Sequence, residues 1–297
     1  MTGGTWTTIV NPVAGRGRTR RLLPKIEEHA AAVGAKVEVS LTPDDPIRLA
    51  RAAADQGSDL VACGGDGVVA AVAGVAADTG RTLAIVPTGA GNDFARSLGY
   101  DLKNPLDAFD VLTRGNERVV DLGRVNGRFY TCVTASGFDA EANRWANTVT
   151  RLRGTPLYVA AVLRTLAVYK PHPFRLTVDG EQHEMQAWLV AVGNGPSYAS
   201  GMRITPYASY DDGLLDVTVV GELTRWQFLT NFPKVFKGTH LANPDVHIFR
   251  GKNVELGSLD ESVPMDVYAD GERVGPLPAT MEAVREALRV RVPGSGA

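Results

Sequence analysis

The sequence predicts an α/β domain with a parallel sheet, followed by an antiparallel β domain. Over about the first 120 residues, short apolar runs alternate with helix-like segments, the order that builds a parallel sheet covered by helices on both faces. From about Asp121 onwards, runs with a period of two residues are separated by turn signals such as Asn126-Gly127 and Asp270-Gly271, which is typical of an antiparallel domain. With 297 residues, the chain is long enough for about two domains.

The elements follow from this pattern in chain order. The first domain has predicted strands at Thr7–Val10, Lys36–Leu41, Asp59–Cys63 and Leu83–Val86, and predicted helices at Arg20–Val33, Pro46–Gln56 and Val68–Ala77. The second domain has predicted strands at Arg128–Val133, Phe174–Val178, Ala187–Val192, Leu215–Val219, Asn253–Leu256, Met265–Ala269 and Leu288–Val292. Two segments in this half, Thr155–Tyr169 and Leu223–Gly238, are long enough for helices.

The composition narrows the class of protein. A net charge of −2 and an isoelectric point near 6.2 argue against a general nucleic-acid binder. Two cysteines, Cys63 and Cys132, are too few for a disulfide framework and fit a reducing compartment. The first residues lack the basic and apolar regions of a signal peptide, and no stretch has the 18 or so apolar residues of a spanning helix. We therefore expect a cytoplasmic protein.

Three turns rich in glycine or proline follow predicted strands of the first domain. They are Asn11–Gly15, Gly64–Gly67 and Pro87–Arg96. Ligands of such sheets bind at the carboxyl ends of the strands. Bare glycine turns present backbone N–H groups to a polyanion, and the arginines after Gly15 can pair with phosphate oxygens. A carboxylate such as Asp66 can hold Mg²⁺ or accept a hydroxyl proton in phosphoryl transfer. Together these features indicate an ATP-type phosphate site.

Each motif taken alone has an ordinary structural explanation. Asn11-Pro12 is also a plain turn, and Gly64–Gly67 is as compatible with a tight turn as with a phosphate loop. Asp211-Asp212-Gly213 and Asp270-Gly271 are also ordinary hairpin turns. The arginine run that begins at Arg16 could be a solvated helix face. It is their occurrence together, in this order, that favours a nucleotide site.

From Ile9 to nearly Val292, the sequence resembles the bacterial soluble lipid kinases of the diacylglycerol kinase catalytic-domain family, which are related to sphingosine kinases and NAD kinases. The resemblance rests on Asn11–Gly15, Gly64–Gly67, Gly91–Arg96, Ser136–Ala140, Pro206–Asp216 and Asp270–Glu272. It implies a nucleotide-binding domain over residues 1–121, a β-sandwich lipid domain over residues 122–286, and residues 287–297 returning to the first domain. The active site would lie in the cleft between the domains.

The resemblance also implies the residues of the site. The nucleotide would be bound by Asn11, Pro12, Val13, Ala14, Gly15, Thr42, Gly64, Gly65, Asp66, Gly67, Val68, Val69, Thr88, Ala90 and Asn92. Magnesium would be held by the carbonyls of Ser209 and Leu214 and by the carboxylate of Asp212, with Asp211 holding a metal-bound water. The acid/base maps onto Asp270 or Glu272, and sphingosine kinases suggest Asp66 as a third candidate. The three candidates remain open.

Four positions depart from the family's pattern. Val68 stands where threonine is usual, Ala70 where asparagine is frequent, Ala71 where glutamate is frequent, and Ala90 where a threonine is usual. Losing one hydrogen bond costs about 1 kcal/mol, so these changes weaken nucleotide binding without forbidding it. They also keep open a degenerate kinase that serves as a lipid- or nucleotide-binding protein.

The implied activity is transfer of the γ-phosphoryl group of ATP to a lipid hydroxyl, with Mg²⁺ as cofactor and diacylglycerol as the first acceptor; a sphingoid base, a glycolipid or NAD are alternatives. Phe228, Phe232 and Phe236 fall on one face of the predicted helix Leu223–Gly238, with basic residues nearby that suit a membrane surface. The same face could instead pack on the β domain, which is the usual role of an apolar helix face. We expect transient peripheral membrane contact and no nucleic-acid partner, and a homodimer stays open.

Overall fold

The computed structural model describes residues 5–294 except residues 139, 143–144, 146–160 and 162–163. The first domain alternates strands and helices as predicted. Its elements are β1 (Trp6–Val10), α1 (Ala14–Ala32), β2 (Ala35–Val39), α2 (Asp45–Asp55), β3 (Asp59–Gly64), α3 (Asp66–Thr79), β4 (Thr82–Pro87), α4 (Asp93–Ser97), a 3₁₀ helix (Pro105–Asp110) and α5 (Val111–Arg114). The strand order β2-β1-β3-β4 is parallel throughout.

The second half of the chain is mostly antiparallel strand, as the period-two runs predict. Its strands are β5 (Asn116–Val125), β6 (Arg128–Tyr130), β7 (Val133–Gly137), β8 (His172–Val178), β9 (Glu181–Ala187), β10 (Leu189–Gly193), β11 (Leu215–Val220), β12 (Val246–Gly251), β13 (Asn253–Ser258), β14 (Asp266–Ala269), β15 (Glu272–Pro276) and β16 (Ala279–Val292). Among the described residues, β12-β11-β10-β7-β14-β15 form a six-stranded antiparallel sheet. The expected fold class, an α/β domain plus an antiparallel sheet domain, is confirmed.

The long strand β16 connects the two halves. Its first residues pair with β13 and β5, and its last ones pair in parallel with β4, at Arg289 opposite Thr82. The parallel strands of the first domain and the antiparallel strands β8, β9 and β13 therefore lie in one continuous sheet. The domain boundaries given above remain a prediction.

Turn chemistry accounts for three hairpins of the second half. Asn126-Gly127, Asp179-Gly180 and Asp270-Gly271 all have positive φ at both residues, the conformation that asparagine, aspartate and glycine adopt most readily. These turns join β5 to β6, β8 to β9 and β14 to β15. The prediction that these dipeptides mark turns is confirmed.

Two predicted elements differ from the structure. The single strand expected over Arg128–Val133 is divided between β6 in the large sheet and β7 in the small one, because Thr131 and Cys132 leave both ladders to donate hydrogen bonds to Asp270. The helix expected over Leu223–Gly238 is α6 (Arg225–Asn231), and a 3₁₀ helix (Phe232–Lys237) follows it at Pro233. The predicted helix Thr155–Tyr169 lies largely outside the described residues.

No helix in the described part of the chain combines the length and apolar character needed to cross a bilayer.

Candidate active site

The three glycine-containing turns meet at the carboxyl edge of the parallel sheet. In register, Val10 lies opposite Cys63, and Gly64 lies opposite Pro87. The Asn11 N–H donates to the Cys63 carbonyl at 2.9 Å, and the N–H groups of Thr88 and Gly89 both donate to the Gly64 carbonyl at 3.0 Å. The turns therefore form one hydrogen-bonded unit rather than three separate loops.

The turn that opens α1 requires glycine. Gly15, Arg16 and Gly17 all have positive φ, and a Cβ on Gly15 would lie 2.2 Å from the Thr88 carbonyl oxygen. The Thr19 hydroxyl donates to the Thr88 hydroxyl at 2.7 Å. These contacts hold the Asn11–Gly15 turn against the turn after β4, with the Thr88 side chain fully buried beneath them.

Gly65 and Gly89 pack directly against each other. A Cβ on Gly89 would lie 2.3 Å from the Gly65 Cα, closer than any real pair of carbon atoms that are not bonded. The turn after β3 and the turn after β4 are thus in backbone contact, and any side chain at Gly89 would separate them.

Asp66 begins α3 and reaches across to the next turn. Its carboxylate accepts the backbone N–H groups of Asn92 and Asp93, both at 2.7 Å. Asn92 is in the left-handed conformation, with φ of +55°, which turns these two N–H groups towards Asp66. Burial, together with the charges of Asp93 and Asp270, raises the pKa of Asp66 to about 6. The pKa of Asp66 therefore lies closer to neutral pH than that of an ordinary aspartate.

Asp93 is a buried carboxylate that the sequence analysis quoted within a motif but did not assign to the site. Its oxygens accept the Ser200 N–H at 2.7 Å and the Ser197 hydroxyl at 3.3 Å. The segment that supplies these donors contains Ala199 and Ser200, both with positive φ. Asp93 therefore ties a strained loop of the second half of the chain to the first domain, next to Asp66.

Asp270 brings the β14–β15 turn into the same region. Its carboxylate accepts four hydrogen bonds: from the Thr131 N–H at 2.6 Å, the Thr131 hydroxyl at 2.8 Å, the Cys132 N–H at 2.9 Å and the Val133 N–H at 3.1 Å. Burial raises the pKa of Asp270, and these hydrogen bonds oppose the rise. Because a carboxylate has about four lone-pair positions, Asp270 is fully engaged in positioning residues 131–133.

A cavity of about 760 Å³ opens between the three turns and the β14–β15 hairpin, a size within the usual range of small-molecule sites. Its walls include Glu272, whose carboxylate oxygen would lie 3.2 Å from a Cβ on Gly67. Most of the predicted nucleotide residues also line it: Asn11, Pro12, Val13, Ala14, Gly15, Thr42, Gly65, Asp66, Gly67, Val68 and Ala90. Four of the predicted nucleotide residues do not line the cavity: Gly64, Val69, Thr88 and Asn92. Asp270 does not line it either.

Two arginines also face this cavity. Arg20 extends from α1, and Arg128 extends from β6 on the opposite domain. The arginine run after Gly15 marked Arg20 in the sequence. Nothing in the local pattern marked Arg128, which stands alone after a hairpin turn.

The segment predicted to hold magnesium lies apart from the cavity lining and carries its own ion pairs. Asp211 accepts the Ser209 hydroxyl at 2.6 Å and pairs with Arg118 at 3.1 Å. The Asp212 carboxylate accepts the Leu214 N–H at 3.0 Å and pairs with Arg250. Each of the two carboxylates therefore already has one arginine partner and one uncharged hydrogen-bond donor.

Asp121, missed in the sequence, holds this segment to the first domain. It is buried, and its carboxylate accepts the N–H groups of Gly213 and Glu286, both at 2.7 Å. Over the described residues, no three side chains of histidine, cysteine, aspartate or glutamate come together as a metal-binding group.

A second, apolar cavity lies in the other half of the molecule. It has about 50 Å³ of space and is enclosed by α6, its following 3₁₀ helix and the strand ends. Its walls include Phe138, Tyr198, Met202, Ile204, Phe228 and Phe232. Tyr198 and Met202 lie in the same loop whose Ser197 and Ser200 contact Asp93. One loop therefore separates the acidic site from the apolar cavity.

The phenylalanines of α6 and of the 3₁₀ helix that follows it divide between core and surface. Phe228 is buried, with its ring centroid 5.0 Å from that of Trp188, and Phe232 is half-buried. Phe236 is 49% exposed, and Trp226 is 72% exposed. The packing role holds for Phe228, whereas Trp226 and Phe236 contribute exposed apolar surface.

Comparison with known proteins agrees with this architecture. Residues 5–125 match the model of the diacylglycerol kinase catalytic domain, and residues 132–292 match that of the YegS C-terminal NAD kinase beta sandwich-like domain. The chain belongs to the diacylglycerol kinase family of lipid kinases. Among its relatives is the diacylglycerol kinase of Mycobacterium tuberculosis, 37% identical over 99% of this chain and 96% of the relative. That of Bacillus subtilis is 26% identical over 96% of this chain and 95% of the relative.

Solved structures support the fold. A crystal structure from Bacillus anthracis matches with a TM-score of 0.80 and 25% identity over 99% of both chains. A diacylglycerol kinase structure from the same organism matches with a TM-score of 0.74 and 22% identity over the whole of both chains, a likeness that concerns the fold alone. The resemblance inferred from the motifs is confirmed, and with it a kinase that acts on an alcohol group.

Proposed function

We propose that this lipid kinase uses ATP with Mg²⁺ and transfers the γ-phosphoryl group to the free hydroxyl of diacylglycerol, which gives phosphatidic acid. The names of the relatives in Mycobacterium tuberculosis and Bacillus subtilis support this acceptor. The observation that carries the proposal is the Asp66 carboxylate, which has a raised pKa and lines the same cavity as the glycine turns and Glu272.

Asp66 is our choice for the general base among the three candidates. Only two of its about four lone-pair positions accept hydrogen bonds within the described residues, whereas Asp270 uses all of its own. A pKa near 6 also makes Asp66 a stronger base than an ordinary aspartate while leaving it ionised at neutral pH. Asp270 then acts on Asp66 through its charge and by fixing the loop at Thr131.

The nucleotide would lie along the glycine turns. Their backbone N–H groups and the start of α3 suit phosphate oxygens. Val13, Leu41 and Ile47 line the same cavity and are 65%, 86% and 48% exposed, a degree of exposure that a bound adenine ring would explain. Thr42 lines the same cavity and would contact the ring or its ribose.

In this proposal, Mg²⁺ binds together with the nucleotide. Asp212 and Asp211 do not fit a metal site in their present contacts, because arginines already pair with both carboxylates. We therefore derive no role for Ser209 or Leu214 in the reaction. An ion that arrives with the ATP phosphates would neutralise charge on the transferring group.

The lipid side rests on α6 and the apolar cavity behind it. The cavity of about 50 Å³ is too small for an acyl chain, so entry of a lipid would require α6 or the Tyr198–Met202 loop to move. Outside, Trp226, Leu229 and Phe236 are exposed beside basic side chains, a surface that suits transient contact with a bilayer. The homodimer stays a prediction, as does a cytoplasmic location.

The test is phosphate transfer from labelled ATP with Mg²⁺ to diacylglycerol in mixed micelles, beside a sphingoid base, a glycolipid and NAD. Labelled phosphatidic acid is the expected product. Product on another acceptor would keep the kinase and change its substrate. No product on any acceptor, from folded protein, would contradict the proposal and favour a nucleotide- or lipid-binding role, for which the missing hydroxyls at Val68 and Ala90 in the cavity wall give a reason.

A further inference from the structure

Arg128 approaches the nucleotide cavity from the side opposite the glycine turns. It follows the Asn126-Gly127 turn on the three-residue strand β6. The next residue, Phe129, packs against α3: a Cβ on Gly74 would lie 3.5 Å from the Phe129 Cβ. Since β6 is fixed to the helix that begins with Asp66, the backbone that carries Arg128 has a defined place over the cavity.

The guanidinium group of Arg128 is available for a ligand. Within the described residues its side chain donates no hydrogen bond and forms no ion pair, and the side chain is exposed. Two other arginines of the second half of the chain differ in this respect: Arg124 pairs with Glu282 at 2.7 Å, and Arg175 donates to Glu184 at 3.0 Å. Arg128 is thus a cation held at the cavity wall without a protein counter-ion.

The charges of the cavity give this cation a role. Three carboxylates line it, Asp44, Asp66 and Glu272, against two arginines, Arg20 and Arg128. A polyphosphate entering this space would be repelled by the carboxylates unless a nearby cation offset them. A guanidinium group also offers two parallel N–H donors to a phosphate, a geometry that matches phosphate oxygens.

Ala71 lines the same cavity as Arg128 and offers it no counter-ion. Gly67, Ala71 and Gly74 lie on one face of α3, because residues three and four apart are neighbours on a helix. Gly67 meets Glu272 and Gly74 meets Phe129, so Ala71 lies between these contacts and faces β6. A methyl group at this position cannot pair with an arginine, whereas we expect a carboxylate there to compete with a ligand for Arg128.

We infer that Arg128 binds a phosphate group of the nucleotide from the second domain, opposite the glycine turns, and that Ala71 keeps its guanidinium group free to do so. The inference rests on the proposed function, because it assigns a ligand contact within the same cavity. It names a residue that would make ATP binding depend on both domains, since the glycine turns come from one and Arg128 from the other.

The test measures nucleotide binding by isothermal titration in the absence of lipid, with ATP, ADP and adenosine. We expect Arg128→Gln to weaken ATP and ADP binding on the order of ten- to a hundredfold, the range for a hydrogen bond to a charged group, and to leave adenosine binding unchanged. Arg175→Gln removes an exposed arginine of the same domain away from the cavity, and its affinity for ATP should equal that of the wild type.

A second pair of variants tests Ala71 with Arg128 left in place. Ala71→Glu should weaken ATP binding by a similar factor, whereas Ala71→Gln, of the same size but uncharged, should not. Equal losses in these two variants would overturn the role of Ala71, since the cause would be steric. Wild-type affinity in Arg128→Gln, or an equal loss for adenosine, would overturn the role of Arg128. Failure of the wild-type chain to bind ATP would overturn the proposed function as well.

Discussion

Charged side chains have different surroundings in the large cavity and in the segment around Asp211 and Asp212. In that segment both carboxylates pair with arginines, and the pairs hold one strand end to another. In the cavity, Glu272 and Arg128 have no such partner among the described residues, although they line the same space. Paired charges fix loops, whereas charges kept apart remain available to a ligand. Ligand-binding groups are therefore expected among the unpaired charges of the cavity, and structural roles among the paired charges.

The largest effect should come from the cavity. Asp66→Asn cannot accept the proton of the acceptor hydroxyl, so we expect kcat to fall by a factor of about 10² to 10⁴, the usual contribution of a general base. The measurement is phosphate transfer to diacylglycerol, with thermal unfolding and ATP binding as controls for structure. Activity within a factor of a few of the wild type would contradict the assignment and return the choice to Asp270 or Glu272.

The pH dependence of the reaction tests the same group without a substitution. The pKa of Asp66 is raised to about 6, so the base is ionised above this pH and is lost as the pH falls through it. We expect kcat/KM to decline about tenfold per unit below pH 6, since the protonated fraction dominates there. A flat profile between pH 5 and pH 7, with the protein still folded, would show that a different group takes the proton.

Gly89→Ala tests whether the stability of the protein depends on the backbone contact between the turns after β3 and β4. The added methyl group would lie 2.3 Å from the Gly65 Cα, and overpacking of this kind typically costs about 1–3 kcal/mol. We expect a lower free energy of unfolding in urea and weaker ATP binding. Gly257→Ala is the matched control, because a Cβ there meets nothing within 4 Å. Equal stability of the two variants would mean that the loops separate without cost.

The smallest effect should come from the segment with paired charges. Asp212→Asn removes an ion pair whose arginine is 46% exposed, and exposed pairs contribute about 0–1 kcal/mol. We expect a change of stability below about 1 kcal/mol and an unchanged requirement for Mg²⁺. A clear rise in the Mg²⁺ concentration needed for activity would instead support the metal role that the family resemblance implies for Asp212, and would end the contrast between the two regions.

Local features of the sequence were enough to predict most of the fold. The glycine turns and the aspartate-glycine hairpins require particular backbone angles, which the residue types disclose. Strand β9 was not predicted because its alternation of apolar and polar residues is weak. Most of its residues are polar and partly or fully exposed. The division of the predicted strand at Thr131 depends on Asp270, 139 positions further along the chain. No local pattern can reveal a contact of that kind.

The site was predicted in part for the same reason. The residues that line the cavity from the first domain fall in motifs next to strand ends, where a parallel sheet places its ligands. Arg128 lies in no such motif, and only the arrangement of the two sheets brings it to the cavity. Asp121 also lies in no motif, and it fixes Gly213, next to Asp212, away from the cavity. The sequence left two roles possible for Asp270-Gly271, a hairpin turn and an active-site motif. The turn is confirmed, and its carboxylate also contributes to the acidic surroundings that raise the pKa of Asp66.

The strand β16 has a consequence for how the protein is made. Its residue Arg289 completes the parallel sheet beside Thr82, so the nucleotide domain acquires a strand encoded some two hundred residues later. Contacts between such distant positions form late, because a long loop must close first. During synthesis, the edge of β4 therefore stays unpaired until Arg289 and Val290 have emerged. Glu272, which lines the large cavity, lies just before β16 in the chain, so a nascent chain would complete its parallel sheet and this cavity at about the same stage of synthesis.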